Sequence, residues 1–207
     1  MNCLAVDTCG DYLTVLAVKE GKVFSSFLPD CAMKHSVTLM SAIDETLEKA
    51  GLTVADCDFF ASAVGAGSFT GIRIGISAMK GFALATGKPT LPITSFETIA
   101  YTNTEGGKIL CLVNALHDCY YACGYLDKEL VLPPAYLTEA EVLALADEGY
   151  ALCACTALPI ESKCAVRIGS PERGLLLAMQ AKAEAGAFGA LEALYVRKSS
   201  AEINVCR

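Results

Sequence analysis

The sequence predicts an α/β protein of two related lobes, each a mixed sheet covered by helices. Three observations carry this: an opening meander of three short strands, a helix-strand-helix alternation after it, and a second pass through the same order beyond residue 107. A strand meander followed by helix, strand and helix, occurring twice, is the pattern of a duplicated layered fold, βββαβα in each half.

The first strands are Asn2 to Asp7, Tyr12 to Lys19 and Lys22 to Phe27, rich in Val, Leu and Phe and separated by Cys9-Gly10-Asp11 and Glu20-Gly21. Short apolar runs divided by glycine-containing turns read as antiparallel hairpins. Met33 to Ala50 then spaces Ser36, Met40, Ile43, Leu47 and Ala50 three or four residues apart, with Gly51 as the C-terminal cap of an amphipathic helix. Phe59 to Val64 is a continuous apolar run of strand length, Thr70 to Thr86 reads as a helix closed by Gly87, and Thr90 to Thr94 is a short strand. Ser95 to Ala100 can cap and form a further helix.

The second pass has strands at 109–114 and 120–126, a short strand near Leu130, and a helix opened by the capping box of Thr138 and Glu141. Strands at 150–154 and 165–168 follow, then a helix from Ser170 to Ala185 with Pro171 in its first turn and Gly186 beyond its end. The boundary is expected in 101–107, giving an N-terminal lobe of 1–100 and a smaller C-terminal lobe with its tail over 101–207. Ser199 to Arg207 is expected to be an exposed end.

Composition narrows the function. The 207 residues are 54% hydrophobic and 19% charged with a net charge of −7, which is a folding composition and an acidic one. Without a Lys/Arg run or a basic-aromatic stripe, the chain lacks the footprint for holding a phosphate backbone by itself, so any RNA role has to be shared. The longest charge-free run, Phe59 to Ile72, is too short to span a bilayer. Met1-Asn2 leads straight into an apolar strand with no secretory pattern, so a cytoplasmic protein with reduced thiols is expected, and the eleven cysteines read as small buried hydrophobes. High mean hydropathy, +0.45, points to apolar surface kept for a partner.

Four constellations bear on chemistry. Asp7 and Thr8 end the first strand at a hairpin, where a carboxylate, a hydroxyl and turn amides suit a nucleotide's phosphates and magnesium; local side-chain to backbone bonding in the turn is the simpler account. The Gly65 to Gly71 loop joins a buried strand to a helix, as an anion-binding loop does, but lacks the P-loop lysine and fits GxGxxG imperfectly. His35 and His117 belong to no metal-ligand pair and there is no CxxC, so no metal site is expected. A hydrolase built from Ser68 or Cys119 with His35 or His117 has no GxSxG elbow to support it, and His35 reads equally as a helix cap.

The helix from Thr70 to Thr86 is apolar around its circumference, with Arg73 and Lys80 as its only charges. Such a helix needs cover on every side, one side being its own sheet and another a second chain. Gly67, Gly71 and Gly75 would admit a close backbone, either the partner's or the chain's own.

Val64-Gly-Ala-Gly-Ser-Phe-Thr-Gly-Ile-Arg-Ile-Gly75 resembles the signature of the bacterial TsaB (YeaZ) family, with Ala66 for the usual proline and Ile72 for leucine. The opening Leu4-Ala-Val-Asp7-Thr8, His35-Ser36, Ser95-Phe-Glu97 and Leu194-Tyr-Val-Arg197 match in the same order. The resemblance implies a two-lobed actin-like, Hsp70-like fold. It also implies a non-catalytic subunit, without cofactor of its own, that pairs with the catalytic paralogue TsaD and works with the ATPase TsaE on tRNA threonylcarbamoyladenosine. By that resemblance tRNA is met only through the complex, the isolated protein self-pairs, and a peptidase label is inherited from the paralogy alone. Two departures, Asn114-Ala-Leu116 and Cys9, weaken a nucleotide site at Asp7 and Thr8. Pairing through the first two helices is implied at His35, Leu39 and Ile43 on one and Ile72, Arg73, Ile76, Met79, Lys80 and Ala83 on the other. Ile76, Met79 and Ala83 are the expected anchors, with Arg73 and Lys80 at the rim. The rival reading is an autonomous nucleotide-binding, ATPase-like enzyme using Asp7 and Thr8.

Overall fold

A computed structural model describes residues 1–103 and 105–197. Two five-stranded sheets form its frame. The first holds β1 (Cys3–Asp7), β2 (Leu13–Lys19), β3 (Lys22–Leu28), β4 (Phe59–Ala63) and β5 (Thr90–Ile93) in the order β3-β2-β1-β4-β5. The second holds β6 (Lys108–Asn114), β7 (Cys119–Leu126), β8 (Glu129–Thr138), β9 (Ala151–Ala154) and β10 (Val166–Ile168) in the order β8-β7-β6-β9-β10. The two orders are the same when each lobe is numbered from its own first strand. Leu4 faces Ala17 antiparallel and Phe60 parallel; Leu110 faces Gly124 antiparallel and Leu152 parallel. The duplication read from the sequence is therefore a duplication of topology.

The helices are α1 (His35–Ala50), α2 (Phe69–Thr86), α3 (Ser95–Thr102), α4 (Glu139–Asp147) and α5 (Pro171–Glu184). On β1 and β2, Leu4, Val6, Leu13 and Val15 turn to one face, against Leu39, Ile43 and Leu47 of α1 and Ile72, Ile76 and Met79 of α2. Their neighbours Cys3, Ala5, Leu16 and Val18 turn to the other, against Leu175, Ala178 and Met179 of α5. Period-two alternation with both faces apolar makes the strands continuous hydrophobic runs, because helices cover both sides. The second sheet is covered by Phe96, Ile99 and Ala100 of α3 on one face, and by Val142 of α4 and Ile160 of a 3₁₀ turn, Pro159–Ser162, on the other.

The last helix crosses from the second lobe to the first. Although the sheets are separated at 103–107, α5 follows the second sheet in sequence and packs on the first, while α3 follows the first and packs on the second. Each lobe buries its sheet under the other lobe's helix, and Lys182 of α5 pairs with Glu97 of α3 at 2.7 Å. A cut at residue 100 would expose both sheets.

Other differences are local. Helix α1 starts two residues later than expected, because Met33 sits at φ 64°, outside helical space. Its core stripe is Leu39, Ala42, Ile43, Thr46 and Leu47, leaving Ser36 and Met40 on the surface. β8 is a ten-residue edge strand rather than a short piece; Pro133 and Pro134 fit because the strand lies at an edge and its pairing with β7 is irregular at these residues, between Ala122 and Tyr125. The expected exposed end over 199–207 lies outside the described residues. Among the ten described cysteines all are free thiols, and Cys3, Cys9, Cys31, Cys57, Cys111, Cys123 and Cys153 are buried.

Candidate functional site: a sealed cleft and an open helix groove

The turn after β1 and the glycine loop before α2 meet where a two-lobed fold has its cleft. Asp7 and Thr8 are both at 0% exposure. Asp7 Oδ1 accepts the Cys9 amide at 2.8 Å and its Oδ2 accepts the Tyr12 hydroxyl at 3.0 Å. Thr8 Oγ1 donates to the Gly71 carbonyl at 2.7 Å. Asp7 makes the local turn bond to Cys9, whereas Thr8 reaches across to the backbone of α2, so both side chains are bonded within the chain.

The glycine loop is consumed in the same way. Ser68 N–H donates to the Cys9 carbonyl at 2.8 Å, Ser95 N–H donates to the Gly65 carbonyl at 2.7 Å, and Ser95 Oγ donates to the Ala66 carbonyl at 2.7 Å. A Cβ on Gly67 would overlap the Cys9 carbonyl and one on Gly71 the Thr8 carbonyl, so the close backbone these glycines admit is the chain's own. The cavity left here, beside Tyr12, Ala66, Ser95 and Cys155, has 30 Å³, about the share of one water molecule. Burial pushes the Asp7 carboxyl up against the pull of its two hydrogen bonds, and burial with the nearby Asp7 pushes the Tyr12 hydroxyl and the Cys9 thiol up as well. Desolvation at this depth disfavours charge, the opposite of what a magnesium-phosphate site requires. Asp7 and Thr8 are thus enclosed groups whose side chains are bonded within the chain.

The other chemical candidates are scattered. His35 is the first residue of α1 rather than its cap, and its Nε2 lies 2.9 Å from the Tyr12 carbonyl. Ser68 caps α2 by accepting the Gly71 amide at 3.2 Å, while Cys119 stands on β7 and His117 in the turn before it. Among the described residues no hydrogen bond joins any two of them, and no three His, Cys, Asp or Glu side chains are placed to hold a metal ion.

An open groove of 520 Å³ lies between α1 and α2, lined by Met40, Phe69, Arg73, Ile74, Ser77 and Ala78 among others. The chain's own core takes most of the side chains expected there: His35, Leu39, Ile43, Ile72, Ile76 and Met79 are all buried in the first lobe. A side chain already out of water adds almost no area on pairing, so Ile76 and Met79 are corrected from anchors to core residues. Ala83 is half-buried against the core, and Arg73 and Lys80 are exposed. The exposed apolar groups are instead Val37 at 76%, Met40 at 47%, Phe69 and, farther along α2, Leu84 at 88%. Their helix positions, next to but off the buried stripe, were the available sign. The 3.6-residue period identifies a stripe, but only tertiary packing fixes which edge of it meets the sheet.

A duplicated two-lobed α/β fold of this topology defines a class, the actin-like fold. The family model for TsaD, described as tRNA N6-adenosine threonylcarbamoyltransferase, matches residues 22–164, more than half of the chain. The tRNA threonylcarbamoyladenosine biosynthesis protein TsaB of Buchnera aphidicola is 31% identical over 140 residues, covering 66% of this chain and 66% of that protein. The Escherichia coli protein of the same name is 28% identical over 126 residues, covering 59% and 54%. The chain thus spans about half to two thirds of the length of the curated relatives it matches. YeaZ from Pseudomonas aeruginosa superposes with a TM-score of 0.77 at 22% identity, over 94% of this chain and 99% of that one, a likeness of fold. The chain belongs to the TsaB/YeaZ group of the TsaD family. Among the described residues no helix is long and apolar enough to cross a membrane.

Proposed function

We propose that this chain is a non-catalytic pairing subunit in tRNA threonylcarbamoyladenosine biosynthesis. In this reading it docks a TsaD-like threonylcarbamoyltransferase paralogue through the α1–α2 groove, a TsaE-like ATPase acts on the assembled pair, and tRNA is met only through the complex. Alone, the same face pairs two copies, since related folds present related patches. The observation that carries the reading is the contrast between the two surfaces: the cleft holds 30 Å³ with its acid enclosed, whereas the helix pair offers an open apolar groove of 520 Å³. Among the described residues the second lobe does not repeat this helix pair, because α2 has the Pro159–Ser162 turn as its counterpart between β9 and β10. A standard interface buries about 1,600 Å² in total, and a helix-pair face with exposed apolar groups is a suitable nucleus for one.

The test is depletion of this chain in its native cell with quantification of threonylcarbamoyladenosine in digested tRNA, alongside co-purification with the paralogue. Loss of the modified nucleoside, restored by the wild-type chain but not by Met40→Glu, is the expected result. Unchanged modification after depletion overturns the role. An autonomous nucleotide-binding enzyme would need more space than the 30 Å³ beside Tyr12 and Ser95, and in our reading titration calorimetry with ATP and magnesium on the isolated chain gives no heat of binding.

A further inference from the structure

Arg73 stands on the exposed side of α2 at the end of the groove, and two aromatic rings hold it. Its guanidinium carbon lies 3.7 Å from the centroid of the Phe69 ring, one turn earlier on the helix, and 5.7 Å from that of Tyr195. The Phe69 and Tyr195 rings stack on each other at 4.8 Å, and Arg73 Nε donates to the Tyr195 hydroxyl at 2.7 Å. Tyr195 is itself anchored by the backbone beside it: Leu194 N–H donates to the Val64 carbonyl at 2.7 Å, and Leu191 is buried in the first lobe's core. The last described stretch of the chain therefore crosses the start of α2 and fixes the arginine from above.

Among the described residues only one of the guanidinium's three nitrogens has a partner. Among the described residues Arg73 forms no salt bridge, and its two terminal nitrogens, the pair that fits a carboxylate in a fork, have no partner. Among the described residues no Asp or Glu lines the groove, and α2 carries Arg73 and Lys80 with no acid of its own. Stacking and the Nε bond remove the rotamer freedom a surface arginine ordinarily loses on binding, which makes the group ready to receive an anion.

The geometry points to Arg73 as a preorganised carboxylate receptor, so that the occupant of the groove is a partner-subunit helix whose apolar stripe carries an Asp or Glu against Arg73. Phe69 and Tyr195 are its positioning residues. This rests on the pairing role of the groove proposed above, and it adds what that role leaves open: the chemistry the partner must present and the contribution of the chain's C-terminal stretch.

The experiment measures the affinity of the purified full chain for the TsaD-like paralogue of the same cell at about 0.05 and about 0.5 M salt, where screening separates ionic from apolar contributions. Arg73→Ala is expected to weaken binding by about tenfold or more at low salt and to flatten the salt dependence. Arg73→Lys is expected not to restore it, because an ammonium neither stacks nor forks. Tyr195→Phe keeps the ring and removes the hydroxyl, and is expected to lose a few-fold of affinity with the thermal midpoint unchanged. Wild-type affinity for Arg73→Ala, with Met40→Glu abolishing binding, overturns the receptor while leaving the groove in place. If Met40→Glu binds normally too, it is the pairing reading that fails. If Arg73→Ala spares protein pairing and weakens tRNA capture by the complex, the anion is a phosphate and the carboxylate proposal is wrong.

Discussion

Thr8 Oγ1 lies 2.6 Å from the point a Cβ on Gly75 would occupy, with Ser62 Oγ 3.1 Å from it on the other side. Strand β1, strand β4 and helix α2 meet there with no space for a methyl group. The glycine signature of this segment is a packing code for the joint between turn and helix.

Gly75→Ala is therefore expected to destabilise the protein by about 1–3 kcal/mol, the usual cost of overpacking a tight core. Gly81, on the open side of the same helix with nothing near its Cβ position, supplies the contrast: Gly81→Ala should stabilise by about 0.5–1 kcal/mol through helix propensity. Urea unfolding of both variants checks the pair of signs.

Asp7 gives a pH signature. Burial raises its carboxyl above the ordinary aspartate value, so the folded state holds the proton more tightly than the unfolded chain. Its contribution to stability is present below the ordinary aspartate range and is lost as pH rises through the raised value. Asp7→Asn keeps an acceptor for the Cys9 amide and removes the charge, so its stability relative to wild type is expected to grow from acid to neutral pH. Asp7→Leu leaves the Cys9 amide and the Tyr12 hydroxyl unpaired and should be destabilised at every pH. Thermal midpoints across the pH range decide both.

Surface and core positions of the helix pair should separate cleanly. Ile76→Glu places an unpaired carboxylate in the first lobe's core and is expected to abolish folding, whereas Val37→Glu or Met40→Glu should fold with wild-type circular dichroism and fail to pair. Sizing by light scattering reads the second outcome, and pairing by a folded Met40→Glu chain would contradict it.

The exchange of α3 and α5 between lobes predicts that the fold unfolds as one unit. Thr94 Oγ1 accepts the Glu97 amide at 3.0 Å, and Glu97 in turn accepts the Thr94 amide at 2.7 Å and Lys182 at 2.7 Å. Thr94→Ala should cost about 1 kcal/mol, typical of a lost N-cap, and lower a single calorimetric transition without splitting it. Two separated transitions would mean independent lobes.

Most of the fold was legible because its signals are local. The hairpins at Gly10 and Gly21, the caps at Gly51, Gly87 and Thr138, and Pro171 at the start of α5 each act on their own few residues, so single stretches of sequence carry them. Met33 was harder, since nothing in its side chain announces a left-handed backbone. The site was less legible than the fold. Asp7 and Thr8 have the residue types of a phosphate site, and only the bonds to Tyr12 and Gly71 show them spent inside the chain. Tyr195, far from Arg73 in sequence, had no pattern linking it to α2.

The sequence by itself determined the duplicated strand-helix order, the glycine joint before α2 and the family resemblance, because periodicity, turn chemistry and motif are written in consecutive residues. The tertiary structure alone decided which helix covers which sheet, that Asp7 and Thr8 are enclosed, and that Ile76 and Met79 face inward while Met40 and Arg73 face out. Those outcomes depend on the rotation of each helix about its axis and on contacts between distant segments, where burial is settled by the whole packed core and by no local stretch of the chain.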